Sequence, residues 1–145
     1  MQIQSDAVYR ILDANLNRLR EALRVLEEYF RFIKEDENSS VTLKQMRHLL
    51  VEIEQSLGAG KLLENRDTEN DCFASINRPE EMTRAAQSDI LAANFKRAQE
   101  AGRVIEEYSK LSTTPAVSEN AKKIRFSLYA LEKKVGSVDN GQKEN

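Results

Sequence analysis

The sequence predicts an all-α fold: four long helices forming two duplicated antiparallel hairpins about a pseudo-twofold axis, with a short helix and a long charged loop. Three observations predict it. Residues 11–29, ILDANLNRLREALRVLEEY, return at 90–108 as ILAANFKRAQEAGRVIEEY, with twelve of nineteen aligned positions identical. Self-similarity of this kind marks a repeated supersecondary unit. A second match follows each copy, KQMRHLLVEIE at 44–54 answering KKIRFSLYALE at 122–132. Finally, 40% hydrophobic and 32% charged residues, with no tryptophan and two prolines, suit long amphipathic helices and argue against a β-sandwich.

The first helix is expected from about Asp6 to Ile33, with Ser5 or Asp6 offering an N-cap acceptor to the free amides. The polar stretch 34–40 makes a connection. A second helix then starts near Ser40 or Thr42 and ends at Gly58, its seam made by Leu43, Met46, Leu50, Ile53 and Leu57 at spacings of three and four. Residues 58–78 have no helical period and stop before Pro79. Pro79-Glu80-Glu81 resembles the first turn of a short helix, because proline is tolerated there and carboxylates favour that end. Ser88 or Asp89 caps the third long helix, which runs to about Leu111. Ser118 caps the fourth, with Ala121, Ile124, Leu128, Leu131 and Val135 as its seam.

A chain of 145 residues can bury one core, so residues 1–135 form a single helical domain. Its parts are repeat one at 6–58, the loop at 59–78 and repeat two at 79–135. Residues 136–145 have nothing to bury and are expected to be a disordered tail. A net charge of −2 leaves no electrostatic footprint for nucleic acid. A single cysteine, Cys72, excludes an internal disulfide and suits a reducing compartment. No apolar run is long enough to span a bilayer, and the N-terminus lacks signal-peptide features, so a cytoplasmic location with no membrane partner is the expectation.

The duplicated positions include polar residues where packing would favour apolar ones. On a helical wheel, Ile11, Ala22, Val25, Leu26 and Tyr29 fall on one arc, and Asn15 and Arg18 fall among them. Asn94 and Arg97 repeat the arrangement in the third helix, with Glu21 and Glu100 at the border three residues beyond each arginine. A buried arginine left without a partner costs about 3–5 kcal/mol, so each is expected to pair with its carboxylate. One reading is a satisfied polar network that keeps the repeats in register. The other is a cleft for a phosphorylated ligand, since Ala14, Ala22, Ala93 and Ala101 leave space and arginine grips phosphate oxygens two at a time.

Other features carry less. Gly58-Ala-Gly-Lys61 lacks Walker-loop spacing and suits helix termination. His48 is the only histidine and is expected to be structural or superficial, which also argues against a di-iron bundle. Tyr29 and Tyr108 suit core aromatics with one wet end. Glu27-Glu28 and Glu106-Glu107 are most simply solvated helix faces, although a carboxylate pair can hold magnesium.

The runs RILDANLNRLREALRVLEEYFRF and ANFKRAQEAGRVIEEYSKL, joined by ENRDTEND, resemble the helical hydroxymethylpyrimidine phosphate kinase-like domain often fused ahead of bacterial thiamine phosphate synthase. The resemblance covers residues 8 to 132. It implies transfer of the ATP γ-phosphate to hydroxymethylpyrimidine phosphate, giving the diphosphate used in thiamine assembly, with magnesium and ATP required. Arg18, Arg97 and Arg66 would then hold phosphates, and Asn15 and Asn94 would orient the phosphorylated pyrimidine substrate. Asp67 and Asp71 would be magnesium ligands or the base on the substrate hydroxyl, and Glu21 and Glu100 would fix the arginines. The loop departs from the family pattern where Cys72-Phe73 follows Asp71 in place of Val-Gly. Two alternatives stand beside this. One is a non-catalytic module that docks on thiamine phosphate synthase or forms a homodimer; the other is a helical mutase-like enzyme that binds an anionic metabolite.

Overall fold

The computed structural model describes residues 6–75, 83–111 and 115–143, with side chains described as far as Gly136. Helix α1 (Asp6–Glu28) runs on into a π-helical turn at Tyr29–Ile33. Helix α2 (Glu37–Leu57) follows, then the short α3 (Ala59–Glu64). Helix α4 (Gln87–Tyr108) tightens into a 3-10 turn at Ser109–Leu111, and α5 (Pro115–Lys143) completes the chain. No strand occurs among the described residues. None of their helices is long and apolar enough to cross a membrane.

Several boundaries differ from the sequence expectation for local reasons. Helix α2 starts three residues earlier because Asp36 caps it, accepting from the Ser39 amide at 3.1 Å and the Ser39 hydroxyl at 2.6 Å. Asp36 is held below the usual carboxylate range first by that hydroxyl and then by the amide. Gly58 ends α2 at φ 92°, a backbone angle that favours glycine, and turns the chain into α3. Helix α3 lies inside the stretch expected to be loop. Six residues are too few to show a period, yet Leu62 is buried and Lys61 sits 4.8 Å from the centre of the Tyr9 ring. Pro115 opens α5, so Ser118 is already helical; its hydroxyl donates to the Glu106 carbonyl at 3.1 Å. Helix α5 also continues past Gly136 to Lys143, consistent with the low cost of extending an established helix. The short helix expected at Pro79 and the Ser5 cap fall outside the described residues.

The four long helices enclose one core. The seams expected for α2 and α5 are buried as spaced, with Val135 half-buried at the end. The two halves meet mainly through α1 against α4, and Phe30 just beyond α1 lies edge-to-face with Phe95 near the start of α4. The core stripe of α1 is Leu12, Leu16, Leu19, Leu23, Leu26 and Phe30. It is centred well to the other side of Asn15 from Arg18, roughly 120° from that arginine at about 3.6 residues per turn.

This corrects the wheel reading. Arg18 and Arg97 are exposed rather than inward, as are their neighbours Val25 and Ile90, at 38% and 37%. Glu21 and Glu100 are exposed too, and no ion pair joins either to its arginine among the described residues. Leu12, Leu16, Leu19 and Leu23 outweigh the smaller isoleucine, alanine and valine of that arc, because buried area rather than chemical type orients a helix.

Asn15 is buried as expected, and a further set of polar groups between helices is also duplicated. Glu27 on α1 pairs with Arg47 on α2 at 2.8 Å, and Glu106 on α4 pairs with Arg125 on α5 at 2.9 Å. Arg20 likewise pairs with Glu54, and the Gln99 amide donates to Glu132 at 3.0 Å at the matching place in the second copy. Each hairpin is therefore pinned twice at equivalent positions. Glu27 and Glu106, expected as solvated faces, are 5% exposed, whereas their neighbours Glu28 and Glu107 do face water.

Candidate functional site

An open cleft of about 830 Å³ lies between the N-terminal half of α1 and the loop that follows α3. Six residues expected at a site line it together: Asn15, Arg18, Glu21, Arg66, Asp67 and Asp71. Arg10, Asp13, Asn17 and Asn70 line it as well. Asn94, Arg97 and Glu100 do not; they lie on α4, outside this cleft.

Helix α1 positions its share by ordinary local bonding. Asn15 is buried and donates its Nδ2 to the Ile11 carbonyl at 2.8 Å, which turns its Oδ1 outward. Arg18 Nη1 approaches that Oδ1 at 3.4 Å. Asn94 makes the same bond to the Ile90 carbonyl at 2.8 Å, so the duplicated asparagine is first a helix-facing residue in both copies.

The loop is tied down by Arg66. Its Nε and Nη2 donate to the two oxygens of Asp13 at 2.7 and 2.8 Å, a bidentate fork. That bond, and then the charge of Asp13, raise the Arg66 pKa above the ordinary guanidinium value. Arg66 thus has two of its donors committed inside the protein, unlike the free phosphate clamp the sequence suggests. Asp13 lies on the flank of α1 away from the core, where the wheel marks nothing, and its one signal is that it breaks the repeat: α4 has Ala92 at the matching position.

Beyond Arg66 the loop folds on its own polar groups. Both Asp67 oxygens accept from Asn70 Nδ2, at 3.1 and 3.0 Å, and Oδ1 also accepts from the Asn70 amide at 3.2 Å. The side-chain amide, then the backbone amide, hold the Asp67 carboxyl below its usual range, with Arg10 adding a smaller push the same way. Asp71 Oδ1 accepts from the Phe73 amide at 2.9 Å. Cys72 is exposed and free, and His48 is exposed on α2. Tyr29 is buried as expected, whereas Tyr108 is 40% exposed.

Among the described residues no group of three or more potential ligands forms a metal cage. Magnesium asks for less than a cage, taking one or two carboxylates together with substrate phosphates and waters. Asp67 and Asp71, which line the same cleft, fit that demand. Overall the cleft carries the guanidiniums of Arg10, Arg18 and Arg66 against the carboxylates of Asp13, Glu21, Asp67 and Asp71. With the charges so nearly balanced, it suits a phosphate that arrives with a cation better than a bare anion.

The sequence pattern of the ThiD2 family matches residues 10–134, most of the chain. The chain belongs to the ThiD2 family. Curated relatives of this ThiD2 chain include three thiamine-phosphate synthases. That of Thermosynechococcus vestitus is 45% identical over 126 residues, covering 85% of this chain and 34% of the relative. Those of Nostoc punctiforme and Synechocystis sp. are 40% and 41% identical, each over 90% of this chain. The chain spans about a third of the length of the relatives it matches. No solved structure matches it.

Proposed function

We propose that this ThiD2-family chain acts in thiamine biosynthesis, phosphorylating hydroxymethylpyrimidine phosphate to the diphosphate with ATP. The observation that carries the reading is the single cleft in which Asn15, Arg18 and Glu21 of α1 face Asp67 and Asp71 of the loop. In the reaction, an oxygen of the substrate monophosphate attacks the γ-phosphorus of ATP. A new P–O bond forms, the bond to the bridging oxygen breaks, and ADP leaves with that electron pair.

The attacking oxygen is already ionised at neutral pH, so no base on a hydroxyl is required. That removes one of the two roles the sequence suggests for Asp67 and Asp71. What remains is to hold two mutually repelling phosphates in line, and such transfers depend mostly on positioning and charge. Arg18 is placed to reach a phosphate, because its link to Asn15 is long and it makes no ion pair with Glu21. Asp67 and Asp71 would hold magnesium, whose chemistry is to neutralise the phosphate oxygens that the arginines do not reach. Asn15 Oδ1 is available to a donor on the pyrimidine.

The test is ADP release coupled to a spectrophotometric readout, with hydroxymethylpyrimidine phosphate, ATP and magnesium. Substrate-dependent ADP release that falls on Arg18→Ala and Asp67→Asn sustains the reading; no release above the rate without pyrimidine ends it.

A second reading, docking on a thiamine phosphate synthase, is compatible with the first. It is favoured by Phe126 and Tyr129, stacked edge-to-face on α5 yet 53% and 43% exposed. Co-migration of the chain with a purified synthase, lost on Phe126→Ser, is the expected result.

A further inference from the structure

We infer that Asp13 is a positioning residue: through Arg66 it anchors the acidic loop against α1, and only the first repeat can build a site in this way. The inference rests on the cleft being the reactive site. Three features of the structure carry it.

First, the bonds within the loop are all short in range. Asp67 holds Asn70, Asp71 holds Phe73, the Asp71 amide meets the Thr68 carbonyl at 3.4 Å, and the Ala74 amide meets the Asp71 carbonyl at 3.1 Å. These shape the loop but do not say where it lies. Second, the Asp13–Arg66 fork is a hydrogen-bonded link between residues 66–75 and α1. It joins positions 53 residues apart, and its carboxylate end is sheltered, with the Asp13 side chain 9% exposed against 40% for Arg66. A bidentate pair fixes direction as well as distance, so the residue next in sequence, Asp67, inherits its place from Asp13. Third, the duplication supplies a comparison inside one molecule. Helix α4 repeats Asn94, Arg97 and Glu100 but has Ala92 where α1 has Asp13, and its three polar residues are absent from the cleft. The anchor is thus a difference between the two copies.

The role is separable from substrate contact. Asp13 is a carboxylate already occupied by Arg66, so it neither binds phosphate nor moves a proton. Losing it should leave Arg18 in place while freeing the loop carboxylates to wander, and the demand for magnesium should then rise because its ligands are no longer presented together.

Two variants of the full chain test this: Asp13→Asn, which keeps shape but removes charge, and Arg66→Lys, which keeps charge but removes the fork. Hydrogen exchange should show the amides of Asn70, Asp71, Phe73 and Ala74 exchanging at least tenfold faster in both, with α1 and α2 unchanged. Turnover should fall at least tenfold, and half-saturating magnesium should rise several-fold. Faster loop exchange in a protein whose wild type lacks kinase turnover sustains the anchor and removes the kinase reading alone. Unchanged loop exchange in Arg66→Lys, whose exposed site makes misfolding no explanation, overturns the anchor. Faster exchange with wild-type turnover and magnesium dependence overturns the positioning role.

Discussion

Replacing Glu106 by alanine should destabilise the protein by about 3 kcal/mol, far more than the same change one residue later. The Glu106 side chain is 7% exposed and lies between α4 and α5, where it accepts from Arg125 Nε at 2.9 Å, Arg125 Nη2 at 3.3 Å and Arg103 Nη1 at 3.3 Å. Removing it leaves Arg125, itself 14% exposed, as a guanidinium between two helices with no carboxylate in hydrogen-bond contact among the described residues. Breaking one side of a buried pair costs about 3–5 kcal/mol, and the residual exposure of Arg125 puts the estimate at the low end. For a chain of this size that is roughly 6–12 °C in melting temperature. The equivalent change at Glu27 should cost less, about 2 kcal/mol by the same reasoning, because Arg47 is 26% exposed and reaches water more easily. Replacing both partners, Glu106→Leu with Arg125→Met, should recover most of the loss, since the desolvation penalty vanishes with the charges. The assay is reversible urea unfolding followed by far-UV circular dichroism. Equal midpoints for Glu106→Ala and Glu107→Ala would refute the burial argument, because Glu107 faces solvent.

The remaining predictions concern the site, a cap and a glycine. Arg18→Ala should lower turnover by roughly 10²–10³-fold, the range for losing one charge-stabilising donor, whereas Arg97→Ala should leave it within a few-fold; equal losses would mean that α4 contributes a site after all. Equilibrium dialysis with radiolabelled ATP should accordingly saturate near one nucleotide per chain, and saturation near two would contradict a single cleft. Gly102→Ala should stabilise by about 0.5–1 kcal/mol, because a Cβ there would meet Arg125 Cβ at 3.6 Å, an ordinary contact; a lower urea midpoint would show that α4 and α5 pack more closely than that. Asp36→Ala should cost about 1 kcal/mol at neutral pH. The Asp36 carboxyl is lowered in the folded state, so its contribution is present above the unfolded carboxyl value, near pH 4, and is lost as pH falls through the folded one. The stability difference between wild type and variant should therefore close in acid; a difference that persists there would remove the ionised cap from the account.

The duplication made the architecture legible, because a repeated helical pattern with short links leaves few ways to bury two hairpins. The apolar seams of α2 and α5 follow the spacing of three and four directly. The orientation of α1 was harder, since its polar residues at Asn15 and Arg18 drew the arc away from Leu12, Leu16, Leu19 and Leu23, which bury more area. Helix α3 was hidden because six residues give no period. The ion pairs were legible only in part. Glu27, Arg47, Glu106 and Arg125 are all duplicated, but pairing them requires knowing how α1 faces α2. For the candidate site, the loop motif and the first-copy residues meet in one cleft, while the second-copy residues suggested by the symmetry of the repeat lie elsewhere. Asp13 carried the opposite signal, a charged residue that the second copy replaces with alanine.

The most direct measurement is ³¹P nuclear magnetic resonance of the purified chain mixed with hydroxymethylpyrimidine phosphate, ATP and magnesium. The account predicts that the monophosphate resonance gives way to a pair of coupled diphosphate resonances, with one ADP for each product formed and no conversion by Arg18→Ala over the same period. An unchanged monophosphate signal beside intact ATP would contradict it.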